Sequence, residues 1–173
     1  GIYTLSLEGG DATLLAELPV DIDNLRWVGE RIFFSASVYP SCGADLACTK
    51  RMDEEKASGP SARVYDDLYF RPWNEWATGK HSNLFTLGSK TGKVAAVAIG
   101  PFDCPLIPFG GREDYAVSSD GRIVAYTAKK VANKALSTND DIFLIKDASD
   151  TTAITDNPAS DRAPLFSPDG RRI

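Results

Sequence analysis

The sequence predicts an all-β fold: a partial β-propeller of four-stranded antiparallel blades, with a short helical insertion near residues 44–57. Three observations predict it. First, FGGREDYAVSSDGRIVAYTAK (109–129) places Asp120-Gly121 between two apolar runs, the strongest short-range sign of a β-hairpin, because Gly accepts the positive φ such turns require. Second, the hairpin recurs as NLRWVGERIFFSA (24–36) and APLFSPDGRRI (163–173). Gly121 and Gly170 are 49 residues apart, and Gly29 and Gly121 are 92 apart, one further repeat plus an insertion. Third, a strand-turn-strand element also repeats, at 2–18, 83–97 and 142–156. Alternating the two elements gives four short strands per unit at a period near 50, the signature of propeller blades.

In chain order, residues 1–18 supply the outer two strands of a first blade, with Glu8-Gly9-Gly10-Asp11 as their turn. Residues 24–39 supply the inner hairpin of the next. There Ile32, Phe34 and Ala36 alternate with Phe33, Ser35 and Ser37, so both faces carry apolar groups, as in a strand packed on two sides. Residues 40–62 lack period-2 alternation but hold helix formers from Ala44 to Ala57 and a Ser-Gly-Pro stop, which predicts the helix. Asp53, Glu54 and Glu55 read as its solvated face. RVYDDLYFRPWNEWA (63–77) is aromatic-rich and extended at least over 64–71, with Trp73 and Trp76 read as packing core. Residues 78–108 return to strands and end in the connection IGPFDCPLIPFGG. Residues 115–156 form the one complete blade, with strands near 113–118, 122–128, 141–146 and 151–155, an internal loop at 131–139, and Ile123, Ala125, Ile142 and Leu144 largely buried.

At 173 residues, 43% hydrophobic and 25% charged, the composition is that of an ordinary globular chain. A net charge of -5 without a basic stripe argues against a nucleic-acid partner. No run approaches the roughly 20 apolar residues of a membrane span. The chain opens at Gly1 directly in a strand and stops at Ile173 just inside another, so it is expected to be an incomplete propeller of about three blades or parts of blades.

Spacing excludes several chemistries, and no cofactor is expected. GSKTGKV (88–94) has three residues between its glycines where a phosphate loop has four, and Val94 replaces the magnesium-binding hydroxyl. DIDN (21–24) lacks the sixth-position Gly and the bidentate Glu of a calcium loop. His81 is the sole histidine, no Gly-x-Ser-x-Gly elbow accompanies it, and with three cysteines it makes a poor zinc set. Cys42 and Cys48 lie six positions apart on the insertion. In an oxidising setting they read as a disulfide staple, in the cytosol as two thiols; the staple, and with it a periplasmic or secreted location, is favoured. Glu113 and Asp114 are adjacent carboxylates in a Gly-rich loop, suited to holding a ligand ammonium group, or alternatively a solvated turn beside Arg112.

The segments ELPVDIDNLRWVGERIFFSASVYP, DLACTK, VYDDLYFRPWNEW, SNLF, PFGGREDYAVSSDGRIVAYTAK, STNDDIFLI and DNPASDRAPLFSPDGRRI, in that order, resemble the N-terminal propeller of prolyl oligopeptidase-family serine peptidases. The dipeptidyl aminopeptidase and acylaminoacyl peptidase branch is the nearest. Two departures are Gly29-Glu30 in the first hairpin, where Asp-Gly is expected, and RPWNEW, where His and Asp-Thr are expected. The resemblance implies a parent with an α/β-hydrolase domain that carries the Ser, Asp and His, absent from this chain. It also implies peptide substrates that the propeller screens and orients without catalysing, with Glu113 and Asp114 facing the cavity between the domains. Glu113, nearer the glycines, is the choice if one alone serves. A free-standing binding or scaffold propeller is the alternative.

Overall fold

In the computed structural model, which describes every residue except 67, 69, 148 and 149, the described residues form three antiparallel sheets and one α-helix. β1 (Ile2–Thr4) and β2 (Thr13–Ala16) pair as a hairpin. A second sheet holds β3 (Ile22–Val28), β4 (Arg31–Val38), β5 (His81–Gly88) and β6 (Val94–Ala98) in that order. A third holds β7 (Tyr115–Val117), β8 (Ile123–Ala128), β9 (Asp141–Lys146) and β10 (Thr151–Ala153), again in chain order. Neighbours in sequence are therefore neighbours in space, the low-cost outcome when short turns close each pair.

The apolar residues on both faces of 31–38 make β4 the strand between two cores. Ile32, Phe34, Ala36 and Val38 point into a cluster with Ile2, Leu46, Phe85 and Leu87. Phe33 points the other way, into a cluster with Leu84, Phe102, Tyr115, Val124, Tyr126, Phe143 and Ile145 that joins the second and third sheets. Register reinforces this: Phe34 lies opposite Phe85, and their rings stack at 5.7 Å. Burying one such ring stabilises by roughly 1.5–3 kcal/mol.

The same four-residue turn occurs twice, 49 positions apart. Gly121 N–H donates to the Ser118 carbonyl at 2.8 Å, Ser118 Oγ donates to Asp120 Oδ1 at 2.6 Å, and Ile123 N–H donates to Ser118 Oγ at 2.9 Å. Gly170, Ser167, Asp169 and Arg172 repeat each contact at 2.8, 2.6 and 3.0 Å. Gly stands at the fourth place because φ is +72° at Gly121 and +66° at Gly170.

Helix α1 (Leu46–Ser58) lies in the β4–β5 connection and starts where Asp45, as N-cap, accepts from Cys48 N–H at 3.0 Å. Cys42 and Cys48 are joined by a disulfide with their Cα atoms 5.6 Å apart. Asp53, expected on the solvated face, instead accepts from Tyr39 Oη and Lys80 Nζ, both at 3.0 Å, and ties the helix to the sheet.

Three expectations are corrected. Ile123, Ile142 and Leu144 are only half-buried, although Ala125 is fully buried. The second sheet meets the opposite face, so Val124, Tyr126, Phe143 and Ile145 form the core there. Trp73 and Trp76 are not core: they are 71% and 44% exposed. The expectation that 64–71 is extended is not among these corrections: it falls in part on 67 and 69, outside the described residues, and the described residues of that run belong to no strand. β7 begins at Tyr115 and not at 113, because residues Arg112–Asp114 make one turn of 3-10 helix.

Candidate functional site

Antiparallel pairing in chain order sends alternate connections to opposite ends of the sheets. One end carries short turns, at residues 29–30, 89–93 and 118–122. The other carries long connections, at residues 39–80, 99–114 and 129–140. Glu113, Asp114, the aromatic segment and the disulfide all belong to the long-connection end, where loop chemistry has room to vary.

The loop 106–114 is held closed by its own backbone and by three side chains. Gly110 N–H donates to the Leu106 carbonyl at 2.9 Å, and Asp114 N–H donates to the Gly111 carbonyl at 3.0 Å. Asp114 has no exposed surface: Oδ2 accepts from Leu106 N–H at 2.9 Å, and Oδ1 accepts from Arg162 Nη2 at 3.0 Å. Arg162 also donates to the Phe109 carbonyl at 3.0 Å. From β3, Arg26 donates to the Arg112 carbonyl at 2.7 Å while its guanidinium lies 5.0 Å from the centre of the Tyr115 ring. Burial pulls Arg26 below its usual range, and burial likewise pushes the Tyr115 phenol up. Gly110 is required by close approach: a Cβ there would collide with the Leu106 backbone and the Asp114 carboxylate.

The structure thus separates the two adjacent carboxylates. Asp114 is spent inside the loop. Glu113 is exposed and makes no hydrogen bond or ion pair among the described residues, with its Oε2 2.8 Å from where a Cβ on Gly111 would lie. A carboxylate so placed can accept from an ammonium or amide donor. Sequence reasoning missed Arg26, Arg162 and the reason for Gly110. No local pattern marks them, since Arg162 and Asp114 are 48 residues apart.

Among the described residues no Ser-His-Asp arrangement forms. His81 Nδ1 lies 3.2 Å from Asp103 Oδ1, which also accepts from Ser82 N–H, while Ser82 Oγ donates to the Cys104 carbonyl. These contacts splice the start of β5 to the 99–114 connection. Among the described residues no group of three or more His, Cys, Asp or Glu could hold a metal ion, and no helix is long and apolar enough to cross a membrane. Cys104 is a buried thiol whose pKa burial pushes up.

No family model matches the chain. Over 128 residues it is 35% identical to dipeptidyl-peptidase 5 of Porphyromonas gingivalis, a match covering 70% of this chain and 18% of that protein. It is 31% identical over 147 residues to dipeptidyl-peptidase 5 of Aspergillus fumigatus, covering 70% and 20%. Against dipeptidyl-peptidase 5 of Porphyromonas endodontalis it is 28% identical over 185 residues, covering 98% and 27%. The chain is related to the dipeptidyl peptidases. It spans between 18 and 27% of the length of these dipeptidyl-peptidase 5 relatives. The 98% match shows that the relationship reaches beyond the hairpins, across the insertion and the Glu113 loop alike.

Proposed function

We propose that this chain is part of the non-catalytic β-propeller of a serine exopeptidase of the prolyl oligopeptidase family, where it screens peptide substrates and holds their free N-terminus. Two four-stranded antiparallel sheets and the repeated Ser-x-Asp-Gly turn support the propeller reading. The shared name of the relatives, dipeptidyl-peptidase 5, supports the peptidase reading. Its partners are then an α/β-hydrolase domain of the same protein, which supplies the nucleophile, and the peptide itself. The Cys42–Cys48 disulfide fits an oxidising compartment, periplasmic or extracellular.

One observation carries the binding role: the exposed, unengaged carboxylate of Glu113 on a loop whose backbone Arg26, Asp114 and Arg162 hold in place. Preorganisation matters because a loop ordered before binding loses less entropy on binding. A charge-assisted hydrogen bond from a peptide ammonium contributes about 1.5–3 kcal/mol. In the protein that carries this chain with its hydrolase domain, Glu113→Gln raises KM for free-amine dipeptide substrates roughly tenfold to a hundredfold. Acyl-blocked substrates are unaffected. Equal effects on both substrate classes, or no effect, overturn the reading.

A further inference from the structure

Where the second and third sheets meet, one polar side chain interrupts an apolar row. In the second sheet Thr86 lies directly opposite Phe33 on one side and Ala95 on the other. Cross-strand partners share a face. Because Phe33 faces the third sheet, the Thr86 side chain does too. Val124 and Ile145, themselves opposite one another in β8 and β9, face back toward it. The Thr86 hydroxyl oxygen is buried and makes no hydrogen bond among the described residues. Such a group is costly to leave unpaired and calls for a reason. Beside it stands the small Ala95, and there a cavity of about 290 Å³ opens between the sheets, at the lower end of the size that holds small ligands. Phe33, Ala95, Val97, Val124 and Ile145 give it apolar walls.

The opening of this cavity is charged. Arg31, Arg122 and Asp147 line it and are exposed, at the short-turn end of the sheets and away from the Glu113 loop. Arg122 is committed to Asp147: Nε and Nη2 donate to Oδ1 and Oδ2 at 3.1 and 2.9 Å. Arg31 makes no ion pair among the described residues. Its Nη1 donates to the Gly121 carbonyl at 3.1 Å, which anchors the guanidinium across the two sheets. The Arg122 hydrogen bond first, and the Arg31 charge with it, pull the Asp147 carboxyl below its usual range, so both cations act at one place. Asp120 is turned away into its own turn, accepting from Ser118 Oγ and Arg122 N–H. Two guanidiniums against one carboxylate leave a net positive charge over an apolar cavity whose wall holds the Thr86 hydroxyl. We propose that this cavity is a second ligand site, for a small monocarboxylate whose apolar body carries one hydrogen-bond acceptor. The carboxylate pairs with Arg31, the acceptor takes the Thr86 O–H, and the body fills the space beside Ala95. The site does not depend on the role of Glu113.

The test is a saturation-transfer NMR titration of the protein that carries this chain. The probes are 5-oxohexanoate, hexanoate, which lacks the acceptor, and methyl 5-oxohexanoate, which lacks the charge; inorganic phosphate, which lacks the apolar body, is added as competitor. 5-Oxohexanoate binds saturably, about fivefold tighter than hexanoate and about tenfold or more tighter than the ester, and phosphate at equal concentration does not displace it. Arg31→Gln weakens both carboxylates about tenfold. Thr86→Val puts a methyl group of the same shape in place of an unpaired buried hydroxyl, so it leaves Tm unchanged or higher. It also abolishes the preference for 5-oxohexanoate over hexanoate. No saturable transfer, equal binding of acid and ester, displacement by phosphate, affinity unaltered in Arg31→Gln, or a preference that survives Thr86→Val each overturns the site.

Discussion

Asp114 and Arg162 form an ion pair in which one partner has no exposed surface and the other is one-third exposed. Removing the cation from such a pair leaves a buried carboxylate with only the Leu106 N–H for compensation. Arg162→Ala is therefore expected to cost about 3 kcal/mol or more. Asp114→Asn keeps an acceptor for Leu106 and needs no counter-ion, so it costs less. Urea midpoints of the two variants check this order, and a milder Arg162→Ala would show that the pair is dispensable. The sequence signalled a paired acidic site at 113–114 but not which carboxylate faces solvent. That depends on Arg162, whose contact with Asp114 is formed by tertiary packing across 48 positions. Trp73 and Trp76 differ from the expectation for the same kind of reason: large apolar residues are usually core, and the sequence carries no sign that the β4–β5 connection leaves both outward.

Among the elements, the Ser-x-Asp-Gly turn is the most self-contained. Ser118, Asp120 and Gly121 close it with their own groups, so its conformation follows from four residues. A Cβ on Gly121 has room, its nearest neighbour being Val28 Cγ1 at 3.7 Å, so Gly121→Ala isolates the conformational cost of φ +72°. The expected loss is about 1 kcal/mol, a fall in Tm of roughly 2–4 °C. Gly121→Asn, which tolerates this region better, loses less. If Ala and Asn are equally harmless, the turn does not hold this φ in solution. Locality also explains what the sequence made legible here. The β7–β8 hairpin and α1 follow from residues close in the chain, whereas the buried face of β8 and β9 does not. Both faces there are apolar, Ile123 and Leu144 against Val124 and Ile145, and the position of the second sheet chooses between them.

Across the whole molecule, the second and third sheets are joined by the shared core and by polar side chains that reach across, Arg26, Arg31 and one phenol among them. Tyr115 Oη donates to the Asn24 carbonyl, reaching from β7 to β3. Burial raises this phenol's pKa, and burial foremost pushes Tyr39 and Tyr126 up to about 12. A phenol whose folded pKa exceeds its unfolded value of about 10 contributes stability that is complete below pH 10 and drains away as pH rises above it. Thermal melts are thus expected to hold steady from pH 7 to 8 and fall from about pH 9 upward, the buried Cys104 thiol contributing first and the phenols from pH 10. Tyr115→Phe melts lower at pH 8, by the worth of about 1 kcal/mol, but shows a shallower alkaline fall; an unchanged slope would mean that Tyr115 ionises freely. The unequal ends of the sheets carry a practical consequence. Lys90 and Ser119 sit exposed on short turns at the end remote from Glu113. A fluorophore or sensor surface coupled through either position leaves the long connections facing open solution, so immobilised protein keeps the Glu113 loop presented in one orientation.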